Sequence, residues 1–316
     1  MNESRGSREG VAILLNPSAG RGKAGENRDR LAALFRARGI PHELHVTGSE
    51  AQLRELARRK AGEFGTLAAA GGDSTFQIVA EEIVKAGASP RLALFGLGSS
   101  NDITREFGLE TLERSMAALE EGRTRRIDLG CVESQGVASR YFVGQASIGL
   151  GVFVNQAAAR VAACAPGLAR LQIAVGIWGI ARAFRKKLVP VSLAVASAAG
   201  GRLEGRFQVA NFANIRFWAT GRRLVPQARP DDAQLDACLI REGSFLRLAR
   251  LASLARKGRH VRMAGVEFLR SPVFDISSET PFAVQVDGEV VGGPFSPALF
   301  RSVRVRVMPG ALMLIA

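Results

Sequence analysis

Two periods of apolar and polar residues alternate along the first third of the chain. "VAILLN" (residues 11–16), "HELHV", "TLAAA" and "RLALFG" are short apolar or alternating runs of strand type. Between them "ENRDRLAALFRARG", a second helical pattern and "FQIVAEEIVK" repeat apolar residues at helical spacing. The order βαβαβαβ predicts a parallel sheet with helices on both faces. In the helix after the third strand, Phe76, Val79, Ala80, Ile83 and Val84 share one stripe. After about Asp128 the texture changes. "RYFVGQASIG", "VPVSLAVAS", "GRFQVANFAN", "LDACLI", "VEFLR", "FAVQVDGE" and "VRVRVM" are separated by Gly, Pro and polar turns, which predicts an antiparallel sandwich or barrel. Helical stretches interrupt these strands around 157–188 and at "SFLRLARLASLARKG". Residues 1–128 therefore read as a parallel α/β domain, rejoined by the C-terminal 303–316, and 129–302 as a β-rich sandwich domain.

A length of 316 residues agrees with two domains. Charge adds a further constraint: 43 Lys and Arg against 29 Asp and Glu leave +14, which favours an anionic partner. Only six of those cations are lysine, so an arginine-rich composition without functional meaning is the plain alternative. Cys131, Cys164 and Cys238 lie far apart with no CxxC, which suggests neither a zinc site nor a disulfide framework and fits a reducing cytoplasm. The N-terminal "MNESRGSREG" lacks the apolar core of a signal peptide and reads as a short disordered lead-in. "LQIAVGIWGIARAF" is broken by Gln172 and Arg182 and falls short of the ~20 residues a membrane span requires. With one Tyr and two Trp there are few stacking platforms for nucleic acid, which is not expected as a partner.

Three loops fall where parallel strands end, the place at which open α/β sheets bind ligands: "NPSAGRGKAG", "GGDST" and "GLGSSND". Glycine lets backbone N–H groups approach a phosphate, and the following helix N-terminus favours negative charge. Strand-to-helix turns use Gly, Ser, Asn and Asp for backbone reasons too, and on that reading Asp73 and Ser74 merely cap the next helix. Three such loops on successive strands favour a polyphosphate cradle, although none is a GxGxxG or a Walker pattern.

"LLNPSAGRGKA", "AAAGGDSTFQIVAE" and "LGLGSSNDITREFGL" resemble, in order and spacing, the motifs of the diacylglycerol kinase catalytic domain family of bacterial lipid kinases. "RRLVPQARPDDAQLDACLI", the helix after it and "VQVDGE" continue the resemblance almost to the C-terminus. It implies a nucleotide domain shared with NAD kinases and phosphofructokinases, followed by an all-β domain, with ATP and Mg2+ as cofactors. By resemblance Asn16, Pro17, Ser18, Ala19, Gly20, Thr47, Gly71, Gly72, Asp73, Ser74, Thr75, Ser99, Asn101 and Asp102 would line the ATP site. Asp287 would take the proton from an acceptor hydroxyl, with Glu289 beside it, and Asp73 would help organise magnesium and phosphates. A hairpin turn is the plain reading of Asp287-Gly288. In "ARPDDAQLD", the carboxylate of Asp232 and the carbonyls of Arg229 and Gln234 would match the family's structural magnesium loop; a plain acidic turn is the alternative.

The activity implied is ATP-dependent phosphorylation of diacylglycerol or another long-chain lipid alcohol. Ser74 stands where the family has a third glycine, Gln77 where it has Asn and Ile78 where it has Glu, which leaves open a non-catalytic nucleotide- or lipid-binding relative. An NAD kinase-like enzyme with a soluble substrate shares the GGD loop. In "SFLRLARLASLARKGRHVR", Arg247, Arg250 and Lys257 fall on one face and Leu248, Leu251 and Leu254 on another. Such a helix either rests on an anionic membrane or displays solvated arginines. A cytoplasmic protein peripherally bound to the inner face of the membrane is expected on the lipid-kinase reading, with a homodimer left open.

Overall fold

The computed structural model describes residues 8–164 and 190–316. The chain divides into two compact units, one of Met1–Asp128, Ala219–Gly221 and Pro309–Ala316, the other of Leu129–Trp218 and Arg222–Met308.

In the first unit β1 (Arg8–Leu15), β2 (His42–Val46), β3 (Phe64–Gly71) and β4 (Arg91–Gly96) form a parallel sheet. Met313 and Leu314 pair with Arg91 and Leu92 of β4, also in parallel, on the side away from β3. The short α1 (Lys23–Glu26) and α2 (Arg28–Ala37) lead to β2, α3 (Glu50–Ala61) to β3 and α4 (Asp73–Lys85) to β4, after which come α5 (Asp102–Glu106) and α6 (Leu112–Glu121). From β1 the chain moves outward to β2, and from β3 it moves the other way to β4. The crevice between the C-terminal ends of β1 and β3 is thus the point at which the winding reverses.

Alternation along the strands divides the core into two layers. Ile13, Leu15, Ala68, Ala70 and Phe95 pack with Leu31 and Phe35 of α2 and Leu112 and Met116 of α6. The intervening Ala12, Leu14, Leu67, Ala69 and Leu94 are buried as well, so they face α3 and α4. Helix α4 is buried well beyond its apolar stripe: Gln77, Glu81 and Glu82 are at most 1% exposed. The two carboxylates are compensated by Arg54 of α3, 3.3 Å from Glu81 and 3.0 Å from Glu82, by Arg58, 2.7 Å from Glu82, and by Lys85, and Gln77 donates to Glu81 at 2.5 Å.

The second unit takes up β5 (Thr124–Ser134) at Leu129 and continues through β6 (Val137–Phe142), β7 (Gln145–Gly149) and α7 (Leu150–Cys164). The expected helical stretch 157–188 begins within α7; its remainder, with "LQIAVGIWGIARAF", lies outside the described residues. The unit then contains β8 (Val191–Ser197), β9 (Arg202–Ala213), β10 (Phe217–Trp218), β11 (Arg222–Arg223), β12 (Leu235–Arg241), α8 (Phe245–Ala255), β13 (Val266–Ser271), β14 (Val273–Phe282), β15 (Val284–Val286), β16 (Glu289–Val290) and most of β17 (Phe300–Ile315). Its strands pair antiparallel in the order β16–β15–β7–β9–β8–β14–β17, with β12 and β13 extending from β9. One core collects Phe142, Phe207, Phe212, Phe274, Phe282 and Phe300. A second joins Val209, Cys238 and Ile240 to Leu248 and Leu251 of α8.

Candidate functional site

The three loops of the first unit meet at the reversal point. Asn16, just after β1, donates from Nδ2 to Thr75 Oγ1 at 3.1 Å and accepts the N–H of Ser18 at 3.1 Å, so one side chain shapes the first loop and ties it to the second. Gly71 accepts the N–H of Leu97 at 2.7 Å, linking the second loop to the third. The link depends on glycine: a Cβ at Gly98 would lie 2.5 Å from Cα of Gly72 and 2.8 Å from Oδ1 of Asn101. Asn101 adopts a left-handed conformation (φ +52°), from which its Oδ1 accepts the Gly98 N–H at 2.9 Å. The Thr47 hydroxyl is spent on the Leu15 carbonyl, 3.1 Å away.

Helix α4 begins at Asp73 with Gly72 as its N-cap, and Gly72 has no side chain to cap it. Neither Asp73 nor Ser74 caps this helix. The carboxylate of Asp73 instead accepts the N–H groups of Asp102 at 3.1 Å and Ile103 at 2.9 Å, the opening of α5. The first turn of a 13-residue helix therefore opens at the crevice without a side-chain cap, where its N–H groups favour an anion. Ser74 lies inside α4 with no positive φ, so serine occupies this position without backbone strain. Ile78 is 5% exposed and belongs to the core.

Burial raises the Asp73 carboxyl to about 6; the two N–H donors and Arg105 oppose the rise and Asp102 adds to it. The Asp102 carboxyl is likewise raised by burial, against its hydrogen bonds and Arg105. Asp102 accepts from Ser100 Oγ at 2.9 Å, Arg105 Nη1 at 3.0 Å, Thr220 N at 3.1 Å and Gly221 N at 2.6 Å. Ala219, Thr220 and Gly221 are successive left-handed residues, and this carboxylate holds the turn they form. Sequence reasoning placed Asp102 among the ATP-site residues and missed this task, since nothing in "FWATGRR" marks residues 219–221 as part of the first unit.

A cleft of about 560 Å³ adjoins the first and third loops, lined by Gly20, Gly96, Leu97, Gly98 and Ser99 and, opposite them, by Arg30, Glu110 and Glu113. Of the expected ATP-site residues it brings together Gly20 and Ser99, whereas Asn16, Thr47, Asp73, Ser74, Thr75, Asn101 and Asp102 are not in its lining. Arg30 and Glu113, ion-paired at 2.6 Å, escaped the sequence reading because on their helices they look like ordinary solvent-facing charges.

In the second unit Asp287 and Gly288 form a two-residue turn between β15 and β16 with both φ positive (+44° and +94°), the hairpin their sequence suggests. The Asp287 carboxylate accepts Val143 N at 2.7 Å, Gly144 N at 3.0 and 3.2 Å and Gln145 N at 2.7 Å. These amides lie where "RYFVGQASIG" breaks into two strands. Asn155 of α7 donates to the Gly288 carbonyl at 2.6 Å, and Gln285 donates to Ser147 Oγ at 2.7 Å, so the hairpin is held on both sides of Asp287. Glu289 opens β16 and is partly exposed.

The 229–234 segment does not offer Asp232 to a cation. Asp232 accepts the N–H of Gln234 at 3.1 Å and pairs with Arg270, while Ala233 takes the left-handed conformation. No cluster of three or more His, Cys, Asp or Glu side chains suited to a metal occurs among the described residues. The residues present fit an internally neutralised turn better than a magnesium loop, and no chemical step is derived through them.

Helix α8 also departs from expectation. Arg247 does not share a free face with Arg250 and Lys257: its guanidinium donates to the carbonyls of Arg241 at 3.0 Å and Ala264 at 2.5 Å. Among the described residues no helix is long and apolar enough to cross a membrane.

A parallel sheet whose glycine loops surround an open helix N-terminus at the winding reversal places the first unit among phosphate-binding α/β folds. Residues 10–132 match the family model described as the diacylglycerol kinase catalytic domain, and 144–316 the one described as the YegS C-terminal NAD kinase beta sandwich-like domain. The chain belongs to this family of diacylglycerol and lipid kinases. It is 28% identical over 294 residues to a Pseudomonas aeruginosa protein named "Probable lipid kinase YegS-like", covering 92% of this chain and 90% of the other. It is 27% identical over 301 residues to a "Diacylglycerol kinase" of Mycobacterium tuberculosis, covering 92% and 94%. A crystal structure of a diacylglycerol kinase from Bacillus anthracis superposes with a TM-score of 0.67 at 14% identity over 97% of this chain and 96% of that one, a likeness of fold.

Proposed function

We propose that the protein transfers the γ-phosphate of ATP to a hydroxyl of diacylglycerol or a related long-chain lipid alcohol. The observation that carries this reading is the uncapped N-terminus of α4 at Gly72, enclosed by loops whose backbones touch. Such a cradle receives a polyphosphate through N–H groups and the positive end of a helix. Each Asp73 oxygen accepts a single backbone N–H, which leaves acceptor capacity for a cation carried by the polyphosphate. Asp73 is accordingly the residue assigned to magnesium, which when bound would neutralise developing charge on the transferred group. Gly20 and Ser99 border the adjacent cleft, whose volume suits the remainder of a nucleotide.

In the second unit Asp287 is assigned the acceptor's proton, with Glu289 beside it. Three backbone amides orient its carboxylate, and the acceptor hydroxyl would use the lone-pair capacity they leave. Incubation with radiolabelled ATP, magnesium, a total lipid extract and NAD, followed by identification of any labelled product, tests the reading directly. A labelled lipid is expected. Label appearing only on a soluble dinucleotide would favour an NAD kinase-like enzyme, and ATP binding without label on any acceptor would favour a non-catalytic relative.

A further inference from the structure

The fold divides α8 into two faces. Leu248 and Leu251 are buried with Leu224, Val225 and Cys238, Ala255 is buried and Leu254 half-buried, so the apolar stripe that makes the helix amphipathic already packs inside the protein. What faces outward is a second, smaller apolar feature: Leu246 is 78% exposed and Phe245 beside it 41%. Further along the helix and in the turn after it, Arg250, Arg256, Lys257, Arg259 and Arg262 are all exposed, and none has an ion pair among the described residues. The sequence from Ser244 to Gly265 contains no Asp or Glu. Two neighbouring acids are engaged elsewhere, Glu242 by Arg206 at 3.3 Å and Glu267 by Arg241 at 2.9 Å.

We infer that this outer face of α8 and the turn after it form a docking surface for an anionic phospholipid bilayer. Five exposed cations between Arg250 and Arg262, with no acidic residue among them, produce a local positive field, which a negatively charged surface complements. Charge alone would suit nucleic acid equally well. The exposed Leu246 and Phe245 decide between them, since an apolar pair gains nothing against a phosphate backbone and gains burial against acyl chains. The contact is shallow, because the helix cannot turn its inner stripe outward without leaving the core. The inference draws on the lipid-kinase reading only for the likelihood that a bilayer is encountered at all, and its test measures binding without turnover.

The test is sedimentation of the full chain with phosphatidylcholine vesicles with and without phosphatidylglycerol, at low and high salt. Binding is expected only with phosphatidylglycerol and should weaken as salt rises. Substituting Gln at Arg250, Arg256, Lys257, Arg259 and Arg262 together should weaken it by up to about a thousandfold, since each cation near such a surface contributes about fivefold. Removing the same number of exposed arginines elsewhere (Arg28, Arg36, Arg91, Arg123, Arg301) should weaken it far less. Leu246→Ser should reduce the fraction that stays bound at high salt. All these side chains are exposed, and an unchanged melting temperature verifies that each variant folds. Equal binding to neutral vesicles, equal losses in the two charge variants, or tighter binding to a DNA oligomer that ignores Leu246→Ser would each overturn the assignment.

Discussion

At the scale of single residues the cradle depends on Gly98. A methyl group there would press on the backbone of Gly72, which has no flexible end to move aside. Gly98→Ala should therefore cost about 1–3 kcal/mol as overpacking does and abolish the rise in melting temperature caused by magnesium-ATP. Gly62→Ala, where a Cβ meets nothing nearer than 3.8 Å at an ordinary helical φ, should do neither. Thermal unfolding with and without nucleotide distinguishes the two; a full nucleotide shift in the Gly98 variant would mean that ATP binds elsewhere. For Asp287, Asn cannot accept at both ends of its side chain, so one of the amides at 143–145 would face an NH2 group. Asp287→Asn is expected to lose about 1–3 kcal/mol of stability and most turnover, and to keep the nucleotide shift. Turnover lost at unchanged melting temperature would leave it as a base alone, and unchanged turnover would remove it from the reaction. The motifs were legible at this scale, yet what each carboxylate touches was not, because Asp73 meets residues 29 and 30 positions away and Asp287 residues more than 140 positions away.

Among the elements, α4 shows best how far periodicity reaches. Of its predicted stripe, Phe76, Val79, Ala80 and Ile83 are buried and Val84 is only partly so, whereas Gln77, Glu81 and Glu82 are buried too. Polar residues on the outer face of a helix read as solvent-facing, and only the placement of α3 across them reveals a buried ion network. Arg54, with 20% of its side chain exposed, sits between Glu81 and Glu82, whereas Arg58 is 61% exposed. Arg54→Met removes the cation shared by two buried carboxylates, leaving Glu81 to Lys85 and Glu82 to Arg58, and should cost less than the roughly 3–5 kcal/mol seen when a buried pair is broken outright, about 2 kcal/mol. Arg58→Met should cost no more than about 1 kcal/mol. Urea unfolding of both variants checks the ranking, and equal losses would contradict the network as drawn. The same contrast holds for α8. Its amphipathic pattern was plain, but contacts from Arg241 and Ala264 withdrew Arg247 from the face that spacing alone had assigned to it.

For the molecule as a whole, buried acids predict an unusual dependence on pH. Burial raises Asp236 to about 6, helped by Asp232 and opposed by Arg270, and Asp73 is raised to a similar value. Each is protonated to a higher pH when folded than when unfolded, where the value is about 3.9, so folding takes up protons between about pH 4 and 6. Their contribution is fully present below the unfolded value and is lost as pH rises through about 6. His260, lowered by burial, acts in the opposite sense, so the measurement is the difference between wild type and Asp236→Asn. The variant should gain stability relative to wild type as pH goes from 4.5 to 7, followed by melting temperature; a constant difference would refute the raised value. The periods of apolar residues by themselves determined the parallel and antiparallel halves and the strand ends at which glycines and hydroxyls collect, because side-chain alternation and helical spacing are local properties. Only the tertiary structure decided that Gly72 and Gly98 touch, that a turn at Ala219–Gly221 closes on Asp102, that Arg270 occupies Asp232 and that α8 turns Leu246 outward. Those outcomes depend on which distant backbone amide or charge comes within about 3 Å, and no spacing along the chain encodes that distance.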